Sequence, residues 1–373
     1  MAASAMRMSR PAFPTEAGLW LRSQRWDLTF ITLSVILVPF PYLAWLALNT
    51  FGFNTDLTRN VINGLVALAV GGPHMYCTFT RTMLDRDFIE KRPAFARSTI
   101  AIPLIVITLA LFNLELLLTV FFFWASLHVL HQIVFIIGVY DKKRRDTLSL
   151  PSRVIDYAVV LTSLYPIAAY RLTISRDLLI GTNDLGKSIP EFLKQPLFFY
   201  LAAATFGLAF VLFIAKTIKE YREGSLHVPK AVFILVTTIT SFIVPSLGNL
   251  DTAFQGMNTW HSFQYLALTW YINRIRIEKG EMHALSIVKR VSQAGAARSY
   301  YLLMVGFTVG TVAVGALIFV VLRFGAAMSV SASFDRAYYI SVLSFLWMHY
   351  YHDHFLFTQP QAMLNVPAAA LAA

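Results

Sequence analysis

The sequence predicts an all-α, polytopic membrane protein, a bundle of about ten transmembrane helices with both termini cytoplasmic. Three observations carry that expectation. Of 373 residues, 57% are hydrophobic and only 14% charged, where a soluble protein carries about 25% charged residues. Apolar stretches close to the ~20 residues a spanning helix needs recur at 28–50, 59–80, 98–116, 118–140, 154–171, 196–216, 230–247, 256–273, 300–322 and 338–358. Finally, 24 of the 31 Lys and Arg residues fall in 1–27, 81–97, 141–153, 216–230 and 274–298, the segments this map puts inside. That asymmetry is what the positive-inside rule requires.

Taken in order, residues 1–27 form a basic cytosolic tail; the stretch before the first apolar run is too long and polar for a cleaved signal peptide. Residues 28–358 are the transmembrane domain and 359–373 a cytosolic C-terminal tail. The third and fourth spans meet in a tight hairpin at FNLELLL, and the eighth begins with polar residues. Residues 172–195 are expected as an outer loop and 281–297 as a short interfacial helix on the inner side. The net charge of +11 thus marks topology and anionic lipid headgroups as neighbours, not nucleic acid. One cysteine, Cys77, excludes an intramolecular disulfide and a cysteine metal cluster. The location expected is a bacterial inner membrane.

The chemistry lies in the histidines. Seven of the nine fall in predicted spans, and in only four of them: His74; His128 and His131; His261; and His349, His352 and His354. Ionisable groups within spans are costly and usually functional. These spans all run in one direction, so depth can be compared from the 1.5 Å rise per residue. His74 is seven residues before Arg81, His131 ten before Asp141, His261 thirteen before Arg274 and His352 six before Thr358. They therefore share a layer roughly 9 to 20 Å from the inner boundary. His128/His131 and His349/His352 are each spaced i, i+3 and share a helix face, with Asp353 at i+4 from His349. His354 points elsewhere.

Histidines without thiolates suit iron, copper or zinc. The candidate ligands are His74, His128, His131, His261, His349 and His352, holding one or two non-haem iron ions. Asp353, Tyr265, Gln264 and Gln132 are candidate catalytic residues and, with Thr78, can orient the imidazoles. With O₂ as co-substrate and a lipid-soluble substrate in the membrane, the expected activity is that of an oxygenase. The alternatives are a proton-coupled transporter with a histidine relay and a haem-binding membrane protein.

At Pro73-His74, His128, His261 with its aromatic and polar neighbours, and His349 with Asp353, the sequence distantly resembles the bacterial Brp/Blh-type β-carotene dioxygenases. The resemblance covers four short stretches in the same order and implies a polytopic membrane enzyme with histidine-bound non-haem iron. Thr78 and Gln132 stand where that family tends to carry acidic residues, and His131 and His352 are additional to it.

Overall fold

The computed structural model describes residues 19–53, 55–143, 149–180, 183–246, 250–282 and 286–358. Residues 1–18 of the expected N-terminal tail, the tail 359–373 and His283 lie outside the described residues. The chain enters through α1 (Gln24–Asp27), a π turn (Leu28–Thr32) and a 3₁₀ segment (Leu33–Leu37), then α2 (Phe40–Thr50). The helix α3 (Thr55–Val66) passes through a π turn (Ala67–Gly71) into α4 (Gly72–Phe79). After the short α5 (Arg86–Lys91) come α6 (Pro93–Phe112) and the 30-residue α7 (Leu114–Lys143). Asn113 separates these two, and its Oδ1 accepts from Leu116 N at 3.1 Å as a helix cap.

The next helices are α8 (Leu150–Ser163) and α9 (Tyr165–Tyr170). The segment expected as an outer loop folds into a π turn (Arg171–Ser175), two 3₁₀ turns and a small ribbon. In the ribbon, β1 (Leu179–Ile180) runs antiparallel to β2 (Asn183–Asp184). The chain continues as α10 (Pro196–Arg222), α11 (Val228–Ser246), α12 (Leu250–Glu278), α13 (Ile287–Val291), α14 (Ala297–Val320) and α15 (Val330–Phe357). Of the interfacial helix expected over 281–297, the described helical part is α13.

Six helical runs are long and apolar enough to cross a membrane: Gln24–Thr50, Pro93–Phe112, Leu114–Lys143, Leu150–Ser175, Pro196–Arg222 and Ala297–Gly325. The chain is a multi-pass, helical membrane protein. Half of the apolar window of α7 is buried, against 11% for α10. So α7 is the central post, and α10 presents its sides outward. Two glycines let neighbouring segments approach closely. Val38 O occupies the space where a Cβ on Gly256 would stand, and the Thr308 side chain does the same at Gly72.

Buried charges tie the helices together at the Lys143 end of α7. Lys230 Nζ on α11 lies 2.8 Å from Asp141 Oδ1 and 2.7 Å from Asp156 Oδ2, joining α11 to α7 and α8. Lys216 on α10 pairs with the same Asp156. Nearby, Asp27 accepts from Leu21 N at 2.6 Å, Arg22 N at 3.1 Å and Tyr140 OH at 2.9 Å, fixing the start of the chain against α7.

Candidate metal centre

Four helices, α4, α7, α12 and α15, deliver one histidine each to a common point. Their ligand-capable nitrogens, on His74, His128, His261 and His349, all lie within 4.8 Å of one another. None of the four residues is more than 4% exposed. His128 Nε2 and His261 Nε2 are 3.1 Å apart. Two nitrogens about 2.0–2.1 Å from one ion, at tetrahedral or right angles, would stand about 3 Å apart. The rings meet edge-on: His74 and His349 have centroids 4.6 Å apart at 87°, and His128 and His261 4.8 Å at 78°. Stacked rings would turn their nitrogens past each other; these converge.

Local sequence explains the placement of His74. Pro73 has no N–H, so the carbonyl of Ala69 loses its α-helical donor; the Tyr301 hydroxyl donates to that carbonyl at 2.7 Å. The π turn Ala67–Gly71 widens the helix immediately before the histidine, a distortion frequent at functional sites. His74 Nδ1 donates to the Gly71 carbonyl, which leaves the lone pair on Nε2. That Nε2 is buried and has no hydrogen-bond partner.

His349 is held in a similar sense. Its Nδ1 lies 2.6 Å from Thr78 Oγ1, and its Nε2 is buried and unpartnered. Thr78 Oγ1 in turn donates to Asp353 Oδ1 at 2.6 Å, and the Tyr265 hydroxyl donates to the same oxygen at 2.5 Å. Asp353 therefore orients His349 through the Thr78 hydroxyl. Its other oxygen, Oδ2, is buried without a partner, 3.5 Å from His349 Nδ1 and 3.8 Å from His128 Nε2. The ring of His128 stacks on Tyr350, with centroids 4.3 Å apart. On α7 and α12, Gln132 Nε2 donates to the His261 carbonyl at 3.3 Å and to Gln264 Oε1 at 3.1 Å; Gln264 Nε2 donates to the Ile31 carbonyl at 2.5 Å.

A rule of spacing organises this environment. One turn C-terminal to His74, His128, His261 and His349 stand Thr78, Gln132, Tyr265 and Asp353. One turn N-terminal stand Val70, Trp124, Met257 and Phe345. Each layer is displaced about 6 Å along its helices. The positions one turn toward the basic end are polar and those one turn the other way apolar, with Asn258 also on that second side, close to Gly71.

His131 and His352 are not brought into this cluster. His352 has both ring nitrogens on hydroxyls, Nδ1 at 3.0 Å from Thr82 Oγ1 and Nε2 at 3.1 Å from Ser98 Oγ. It clamps α15 to the end of α4 and to α6. His131 is half-buried and lies against His354, ring centroids 5.1 Å apart. The i, i+3 rule put each pair on one face, but a face spans a wide arc, and only one member of each reaches the axis shared by four helices. Gly71 O, Thr82, Ser98 and Tyr350 are participants that spacing alone did not single out.

Four buried histidines converge here, and one ring nitrogen on each of His74, His261 and His349 has no hydrogen-bond partner. The arrangement fits one transition-metal ion. No family model matches the chain. Neither a curated protein nor a solved structure matches it.

Proposed function

We propose that this protein is a membrane-embedded oxidoreductase, an O₂-dependent oxygenase with one non-haem iron held by His74, His128, His261 and His349, acting on a lipid-soluble substrate. The observation that carries this reading is the convergence of four imidazoles without a thiolate, with the Asp353 carboxylate beside them, its Oδ2 3.8 Å from His128 Nε2. Imidazole suits iron, copper and zinc, and four imidazoles around one ion leave coordination positions available. Iron so held supplies O₂ activation for oxidising an unactivated apolar molecule. A haem is disfavoured because four imidazoles crowd within 4.8 Å of one another, leaving no slot for a porphyrin among them. A proton relay would spread its histidines along the membrane normal instead of gathering them.

The chain's own residues have definable tasks in this reading. Gly71 O and Thr78 hold the Nδ1 protons of His74 and His349, so both present Nε2. Asp353, with Thr78 and Tyr265 on Oδ1, keeps Oδ2 directed at the centre, where it can accept a proton from a bound water or product. Gln132 and Gln264 lock α7 to α12. Val70, Trp124, Met257 and Phe345, one turn N-terminal to the histidines, would offer apolar contact to a substrate arriving from the bilayer. The resemblance to carotene-cleaving enzymes at the same histidines makes carotenoids the first substrates to try. The ten-span topology with both termini inside, in a bacterial inner membrane, belongs to this proposal. It requires α3 with α4, α11, α12 and α15 to cross as well; α4, α12 and α15 carry the polar residues of the centre, and α11 is a shorter apolar helix.

The test is metal analysis of the full chain purified in detergent. The expected result is about one iron per chain without a haem Soret band. Folded protein free of transition metal, or a strong Soret band, overturns the reading.

A further inference from the structure

His131 and His354 remain outside the four-histidine centre, yet their rings are 5.1 Å apart. That separation lies within the range of the paired rings in the centre itself, 4.6 Å for His74–His349 to 5.2 Å for His74–His261. Two imidazoles on adjacent helices at this spacing make a two-ligand site for a first-row transition ion. Accessibility grades along the pair: His354 is exposed, His131 is half-buried, and His128, one turn back along α7, is buried at 4%.

The side chain of Phe357 touches both the pair and the centre. The Phe357 ring packs 5.2 Å from His131 on one side, and 5.8 Å from both His128 and Tyr265 on the other. Phe357 is the last residue of α15 and is 6% exposed, its ring also packed 5.2 Å from Phe135. The four histidines of the centre are buried, with the bonded layer of Thr78, Tyr265 and Asp353 one turn toward the basic end. A buried site that must receive an ion needs a path, and the His131–His354 pair is joined to the centre through the Phe357 ring.

We infer that His131 and His354 form a capture station for a divalent first-row transition ion, and that Phe357 is the plug through which the ion passes to His128 and the centre. The inference rests on the proposal that the four histidines hold a metal. It gives a task to two histidines that the centre does not use. No redox step is involved: the ion exchanges water ligands for imidazole, first at the station and then at the centre.

The experiment follows metal uptake, not turnover. Full-length protein in detergent is stripped with a chelator, and Fe²⁺ is added anaerobically at limiting concentration. Bound iron is counted with time after rapid desalting. His131→Ala and His354→Ala should each slow loading by on the order of tenfold, the lower end of what losing a partner at a metal site costs in affinity, while final iron content stays at the wild-type value. His354→Asp, which restores a ligand at an exposed position, should recover most of the rate. Phe357→Ala should speed both loading and extraction by chelator. Wild-type loading rates in both histidine variants overturn the inference, as does a lowered final iron content in His354→Ala. If the four-histidine reading is itself wrong, the failure looks different: wild-type protein retains no iron after desalting, and His349→Ala behaves like it.

Discussion

Thr78→Val removes a single hydroxyl and almost no volume, and it tests how the centre is held. Thr78 Oγ1 lies 2.6 Å from His349 Nδ1, 2.6 Å from Asp353 Oδ1 and 2.9 Å from Tyr265 OH. Asp353 Oδ1 keeps its bond from Tyr265 at 2.5 Å, so the carboxylate is not stranded. His349 Nδ1 loses its bonded acceptor. In metal-free protein the imidazole can change tautomer and place its proton on Nε2. With a metal on Nε2 that choice disappears, and a buried N–H is left unsatisfied, at about 1–3 kcal/mol. The penalty falls on the metal-bound form alone. At about 1.4 kcal/mol per decade it weakens metal affinity by about 5- to 140-fold. The lower end applies if Asp353 Oδ2, now 3.5 Å from the same nitrogen, swings in as substitute. The assay is competition for Fe²⁺ against a chelator of known affinity, alongside the melting temperature of the metal-free protein. Thr78→Ser, which keeps the hydroxyl, should bind as wild type. An affinity for Thr78→Val within about twofold of wild type would refute the claim that Thr78 transmits Asp353 to His349.

His349→Ala should lose iron, whereas His352→Ala should keep it and melt at lower temperature, a loss of about 1–3 kcal/mol, because His352 bonds Thr82 and Ser98 and not the centre; iron loss in both variants would count against the separation of their roles. Lys230→Met leaves the Asp141 and Asp156 carboxylates without their shared cation, and should destabilise the protein by about 3–5 kcal/mol, read as a lowered midpoint in thermal unfolding in detergent; an unchanged midpoint would remove the clasp between α7, α8 and α11. Reporter fusions at residues 185 and 285 should report opposite sides of the membrane, as the distribution of Lys and Arg requires; same-side reports would remove the ten-span topology.

Much of this was legible in the sequence, and the rest was hidden for definable reasons. The hairpin between α6 and α7 is written in FNLELLL, where Asn113 caps the second helix. The four converging histidines come from the four spans that carry histidines at comparable depth, and Thr78, Gln132, Tyr265 and Asp353 each follow one by four residues. Spacing along one helix sets which residues share a face, but it does not say where the axes of the neighbours lie. That is why His349 reaches the centre and His352, three residues on, reaches Ser98 on α6 instead. The hydroxyls that satisfy His352 belong to ordinary threonine and serine positions with no periodic signature. The ribbon at β1 and β2 was equally invisible, since two-residue strands leave no alternation to read.

The helices that build the centre also explain why hydropathy alone undercounts them. The windows of α12 and α15 hold Asn258, His261, Gln264, His349, His352 and Asp353, and neither passes the length-and-apolarity test that α10 passes easily. Polarity there is sheltered by protein: His261, Gln264, His352 and Asp353 are at most 3% exposed, so the bilayer never meets them and the cost of ionisable groups in hydrocarbon does not arise. The helices that face lipid pay no attention to chemistry, and those that carry chemistry are wrapped by them. The same division holds within the centre. Of the polar residues one turn toward the basic end, Thr78 bonds the His349 imidazole and Gln132 the His261 carbonyl, while Val70, Trp124, Met257 and Phe345 stand one turn the other way. In the proposed function, ion and substrate therefore approach from opposite faces of one histidine layer, and substitutions on one side should alter metal handling without altering substrate preference.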